Sequence, residues 1–192
     1  TLLTFLILGT IQFASANQGL ADETSVVGKS VRDFRLVDVE IGKDVRLSDF
    51  KQKVVVVIFY SQTCTFCRSH EARYRQFAAD YASKGVAVLA IDSTGRTAKE
   101  AVVAWKERKM GFPLLIDERA RAAANLGATA MTTVCIIDTQ GKLRYIGAFD
   151  DCESGEAVHT RFAADAVNAL LAGKRVPTEQ TEVYGCLIPL AK

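Results

Sequence analysis

Cys64 and Cys67 stand three residues apart in Thr63-Cys64-Thr65-Phe66-Cys67. At that spacing two thiols can close into a disulfide, and an ionised one can open a disulfide elsewhere. The run ahead of them, Val54-Val55-Val56-Val57-Ile58-Phe59-Tyr60, is β-branched and aromatic throughout, which reads as a strand buried on both faces. Behind them Tyr74, Phe77, Ala78 and Tyr81 recur at helical spacing, with Arg68, Glu71, Arg73, Arg75 and Asp80 between, the pattern of an amphipathic helix. The pair thus sits where a strand hands over to a helix N-terminus. The partial positive charge and free N–H groups there stabilise a thiolate and lower the pKa of the leading cysteine. The blander reading, a structural disulfide or two buried thiols, is disfavoured by that position.

Three more cysteines bring the count to five, an odd number that leaves at least one thiol unpaired in the monomer or shared between molecules. Cys135 lies inside an apolar run and reads as an inert core residue. Cys152 follows Phe149-Asp150-Asp151, where a return strand is expected to end on the same sheet edge as Cys64. A third redox thiol and a disulfide from Cys152 to Cys186 are both open there. His70 completes Cys64-x-x-Cys67-x-x-His70, but haem attachment needs His directly after the second cysteine, where Arg68 stands. His70 shares the stripe of Cys67 and Tyr74, which favours a packed, hydrogen-bonded ring. A metal carrier using Cys64, Cys67 and His70 is the alternative; no cofactor or resident metal is expected. His159 is expected at the surface or in a cap.

The elements that position these residues follow in order. Phe34 and Leu36 alternate with charged residues, suggesting a half-exposed strand, and Leu47 to Lys53 is a turn into the central strand. Gly85 ends the first helix and Val86–Ile91 is a second buried strand. Thr97 with Glu100 is a capping box for a helix closing at Gly111. Phe112–Ile116 is a short strand, and Asp117 an N-cap for the alanine-rich stretch to Gly127. Thr133–Asp138 and Leu143–Phe149 form a hairpin about Thr139-Gln140-Gly141-Lys142. Val158, Phe162, Ala166 and Leu170, with Ala163 and Val167 beside them, give a last helix stopped by Gly173. Strand–helix alternation followed by a hairpin implies an α/β fold with a mixed sheet between helices.

The chain of 192 residues is long enough for one domain with a full core, and its net charge of +2 is too small to imply a nucleic-acid partner. Residues 1–16, uncharged and mostly apolar and ending in Ala14-Ser15-Ala16, read as a signal peptide truncated at its start. A retained membrane anchor is the alternative, though the run is short for a span. Either reading exports the folded part, to a secreted or periplasmic location. A polar lead, 17–26, then precedes a domain over 27–175, and an irregular tail fills 176–192.

These features together resemble the thioredoxin superfamily, and more narrowly its redoxin branch (AhpC/TSA-like, peroxiredoxin-like) of exported thiol–disulfide oxidoreductases. The matching stretches are Asp33-Phe34-x-Leu36, Leu47-Ser48-Asp49-Phe50, the strand into Cys64-x-x-Cys67, Phe112–Asp117, Ile136-Ile137-Asp138-x-x-Gly141-Lys142, and a closing Gly185-Cys186-x-Ile188. The resemblance implies a thioredoxin-like fold, with a mixed central sheet flanked by helices on both faces. It also implies that Cys64 is the nucleophile, the freer and more solvent-accessible thiol, and that Cys67 resolves the mixed disulfide. The expected partners are a disulfide-containing protein substrate and a thiol donor or acceptor that recharges the site.

Three positions depart from that pattern. Phe66 stands where thioredoxins carry proline between the cysteines, and Ile58 where they bury an acid. Thr132 replaces the cis-proline that faces their disulfide, or a nearby arginine of peroxiredoxins. A non-proline cis peptide would cost about 3 kcal/mol and is not expected there. Ser61, Thr63 and Thr132 are the expected supporting residues. For a thiol peroxidase, Ser61 could supply a hydroxyl, but Val57 stands in place of the usual proline and Thr132 in place of the arginine. Hydroperoxide reduction therefore ranks below dithiol–disulfide exchange.

Overall fold

The structure, a computed structural model, describes residues 25–153 and 157–190; the expected signal segment lies outside them. The run Val54 to Phe59 forms β3, and all six of its residues are buried. That is what a strand of uninterrupted β-branched and aromatic residues must do, since neither face tolerates water. β3 pairs in parallel with β4 (Val86–Asp92) and antiparallel with β6 (Val134–Ile137). Around that centre the sheet is completed by β1 (Arg35–Asp38), β2 (Asp44–Arg46), β5 (Leu114–Ile116) and β7 (Leu143–Gly147), in the order β2-β1-β5-β4-β3-β6-β7. The parallel pairs are β3–β4 and β4–β5, and the other four pairings are antiparallel. The helices are α1 (Thr65–Tyr81), α2 (Ala98–Arg108), α3 (Arg121–Leu126) and α4 (Phe162–Leu171). The mixed sheet flanked by helices is the expected fold class.

Local chemistry explains where elements begin and end. α2 opens on the capping box of Thr97 and Glu100 and closes at Lys109 in the left-handed region, short of Gly111. α4 starts at Phe162 and leaves Val158 outside, because the Asp151 carboxylate accepts the N–H groups of His159 and Thr160 and holds them out of a helix. β7 stops at Gly147, since the next N–H, of Ala148, turns to the Thr181 hydroxyl. Asp117 accepts N–H groups of Arg121 and Ala123, although α3 itself begins only after Ala120. The antiparallel edge strand β2, three residues with an exposed or half-buried pattern, has no apolar signature to announce it.

α1 is held on the sheet by its apolar face. Cys67, His70, Tyr74, Phe77 and Tyr81 are buried, and Tyr74 and Phe77 meet Phe149 edge-on. Its outer side is tied to α2, where Glu71 accepts from the Tyr60 hydroxyl at 2.6 Å and from Arg108 at 2.9 Å. Among its described residues the tail has no helix or strand of its own, yet Val176 and Ile188 are buried in the core. Single bridges pair Gln180 with Ile146 and Leu187 with Ala130.

Candidate active site

The turn from β3 into α1 is wound tightly by its own polar groups. The Cys64 N–H donates to the Ser61 carbonyl at 3.2 Å, and the Arg68 N–H donates back to the Cys64 carbonyl at 3.1 Å, which sets Cys64 as the N-cap of α1. Cys67 lies in the first turn, and its Sγ accepts the Ser61 N–H at 3.4 Å. The Ser61 and Thr63 hydroxyls meet each other at 3.0 Å. Ser61 therefore serves the thiols through its backbone, with its hydroxyl engaged by Thr63. Gln62 anchors the turn from outside, donating to the Ala101 carbonyl and accepting from Arg96.

The tail cysteine is met by the turn before β6. Thr132 has a φ of 74°, its N–H donates to the Phe59 carbonyl at 2.7 Å, and its hydroxyl donates to the Tyr184 carbonyl at 2.6 Å. Among the described residues there is no cis peptide, in line with the expectation for Thr132. Here the chain meets its own tail. The Met131 N–H donates to the Cys186 carbonyl at 2.7 Å and the Ile188 N–H to the Thr129 carbonyl at 2.9 Å. A Cβ on Gly185 would fall 1.9 Å from the Met131 carbonyl oxygen, so only glycine allows this approach.

The result is three sulfurs at one place. Cys186 Sγ stands 2.8 Å from Cys64 Sγ, so in the structure the tail cysteine meets Cys64. Cys64 is only 1 % exposed, so the expected solvent-accessible nucleophile is covered, with the tail cysteine against its sulfur. The Cys64 pKa falls from 9.0 to about 4, because the Cys67 thiol and then the Cys186 thiol donate to its sulfur, against a burial cost that raises it. The α1 N-terminus acts in the same direction. Cys67 is pushed far up by its hydrogen bond to Cys64 and by burial. Cys186 is raised by the same hydrogen bond, with burial adding to it. These shifts favour ionisation at Cys64 and protonation at Cys67 and Cys186.

The other candidates fall elsewhere. Cys135 is fully buried in β6, and burial alone raises its pKa. Cys152 is buried at the edge of a cavity of about 310 Å³ that is also lined by His70, Thr132 and Tyr184. His70 is packed as expected: its Nδ1 meets the Phe66 carbonyl at 2.8 Å and its ring stacks on Tyr74. Beside it Arg73 pairs with the buried Asp150 at 2.7 Å. Among the described residues no group of three or more His, Cys, Asp or Glu is disposed to hold a metal ion. His159 is exposed. The Tyr74 hydroxyl, buried with no hydrogen-bond partner, went unnoticed in the sequence, where Tyr74 reads only as a core position.

A cysteine pair at the junction of the central strand and the first long helix, on this sheet, is the layout of a thioredoxin-like fold, and the chain is an oxidoreductase of that fold. The chain belongs to the AhpC/TSA family, whose profile matches residues 27–146. It is 30% identical over 124 residues to a thiol-disulfide oxidoreductase ResA of Bacillus thuringiensis, covering 64% of this chain and 69% of the relative. It is 29% identical over 145 residues to peroxiredoxin-2 of Mus musculus, covering 68% and 73%. A solved structure of a hypothetical protein from Sinorhizobium meliloti superposes with a TM-score of 0.79 at 31% identity, covering 88% of this chain and 96% of that one.

Proposed function

We propose that this protein exchanges disulfides with protein partners, Cys64 attacking and Cys67 resolving. The observation that carries the reading is the placement of Cys64 as the N-cap of α1, with the Cys186 thiol 2.8 Å from its sulfur, an environment that lowers its pKa. A thiolate forms the mixed disulfide; the neighbouring Cys67 thiol, giving its proton to the leaving partner sulfur, displaces the partner and closes Cys64–Cys67. Phe66, next to Cys67 in the chain, and Tyr184 and Leu187, either side of Cys186, are exposed, which suits a polypeptide partner better than a small polar oxidant. Thr132, Ser61 and Thr63 act as positioning residues: Thr132 fixes the turn before β6, and the other two fix the turn into α1. Residues 1–16 support export to a compartment where disulfides are exchanged.

The test is reduction of a disulfide protein such as insulin by the full chain. Cys64→Ser abolishes turnover, and Cys135→Ala leaves it largely intact. Full insulin-reducing activity in Cys64→Ser overturns the assignment. The thiolate also favours a second reading, hydroperoxide reduction. That reading stands only if hydrogen peroxide oxidises Cys64 far faster than a free thiol of similar pKa.

A further inference from the structure

We propose that Cys186 is a second resolving thiol, delivered to Cys64 by the docked tail; the inference rests on the exchange reading above. Three observations carry it. Cys186 Sγ lies 2.8 Å from Cys64 Sγ although the residues are 122 apart in the chain. The contact is built by three hydrogen bonds: the backbone N–H of Met131 to the Cys186 carbonyl, the backbone N–H of Ile188 to the Thr129 carbonyl and the Thr132 hydroxyl to the Tyr184 carbonyl lay residues 184–188 along residues 129–132. The closest approach admits only glycine, at Gly185. A tail merely passing by would need neither that glycine nor three specific bonds.

Accessibility separates the two resolving thiols. Cys67 is wholly buried beneath the turn, whereas Cys186 is exposed on the outer side of Cys64, the side from which a partner's sulfur must come. Because Cys64 is itself covered, the tail must yield to admit a partner, and its return brings the Cys186 sulfur to the bond that has formed. In the step itself Cys186 ionises and its sulfur attacks Cys64 Sγ. The Cys186–Cys64 bond forms and the bond from Cys64 to the partner sulfur breaks. The electron pair leaves on the partner sulfur, which takes up a proton. Over the whole sequence the partner disulfide gains two electrons and the Cys64/Cys186 pair loses two. Attack by Cys67 on Cys64 can then return Cys186 to the thiol, an exchange with no net redox change.

The experiment uses oxidised glutathione as the partner, with the full chain bearing Cys67→Ser, and maps disulfides by mass spectrometry without reduction. The expected product is a Cys64–Cys186 linked peptide with glutathione released, while Cys67→Ser/Cys186→Ser accumulates glutathione on Cys64. Gly185→Ala in the Cys67→Ser background keeps the thiol but displaces it, and slows release at least tenfold. The proposal is overturned if Cys67→Ser retains glutathione on Cys64 as long as the double variant does, or if Gly185→Ala releases it equally fast. If Cys64 takes up no glutathione in the double variant, the exchange reading fails and this one with it.

Discussion

The Cys64 sulfur governs the chemistry through the groups that donate to it, so its ionisation is the first quantity to measure. An ordinary thiol loses roughly a hundredfold in alkylation rate between pH 8 and pH 6, because only the thiolate reacts. Cys64, ionised down to about pH 4, is expected to lose less than twofold over the same range and to fall only near pH 4. Iodoacetamide labelling of the reduced protein, read by peptide mass, measures this. The potential carries the same signature. A reduced pair that keeps one proton instead of two changes potential by about 30 mV per pH unit, half the slope of an ordinary dithiol. Cys186→Ala removes one donor to the thiolate, so the Cys64 pKa rises and the couple becomes more reducing. A pKa unmoved by that substitution would mean that the 2.8 Å contact contributes nothing to the charge. None of this was legible from Cys64-x-x-Cys67 alone: the spacing announces a redox pair, but a partner 122 residues away has no periodicity to betray it. The closing Gly185-Cys186 was visible as a motif, and only the fold could say which cysteine it meets.

Among the elements, those with strong patterns were readable and those governed by single polar contacts were not. β3 and α1 follow directly from an unbroken apolar run and a helical stripe. β2 escaped notice because three mostly exposed edge residues satisfy no burial pattern, and the late start of α4 depends on one carboxylate, Asp151, capturing two N–H groups. The segment before β6 is the most instructive. Thr132 stands where thioredoxins carry a cis-proline, and here it has a φ of 74° and an N–H bonded to Phe59. Proline fixes φ near −65° and has no N–H to give, so the position cannot accept it without rearrangement. Thr132→Pro is expected to cost about 3 kcal/mol, lowering Tm by roughly 6–12 °C. It should also free the tail, since the Thr132 hydroxyl that holds Tyr184 is lost with it. Thermal unfolding and limited proteolysis of the tail check both effects. A Tm within 2 °C of wild type would show that the segment before β6 is not held as described.

At the scale of the whole molecule the thiols couple redox state to stability, and the sign follows from where each proton sits. Cys64 is depressed from 9.0 to about 4 in the fold. Between those values the unfolded chain binds a proton there that the native state does not, so stability rises with pH. The contribution is full above about pH 9 and is lost as pH falls through about 4. Cys67, Cys186 and Cys135 are shifted the other way, held protonated in the fold. Their contribution is present below pH 9 and is lost as pH rises above it, when the unfolded chain ionises and the fold does not. The reduced protein should therefore be most stable near pH 9, relative to the disulfide form. In the oxidised protein a Cys64–Cys67 bond removes both titrations and, with the thiolate gone, the hydrogen bond that raises Cys186, leaving Cys135, raised by burial alone, to act in the alkaline range. Tm of the two redox forms, measured side by side from pH 4 to pH 10, is expected to show a difference that moves in favour of the reduced form up to about pH 9. Carboxylates such as Asp138, whose pKa is lowered by hydrogen bonds from Lys142 and Arg144 against its burial, titrate in both forms and cancel in the difference. Parallel curves across that range would mean that Cys64 is not ionised in the reduced fold. The exchange chemistry would then lose the thiolate on which it is built.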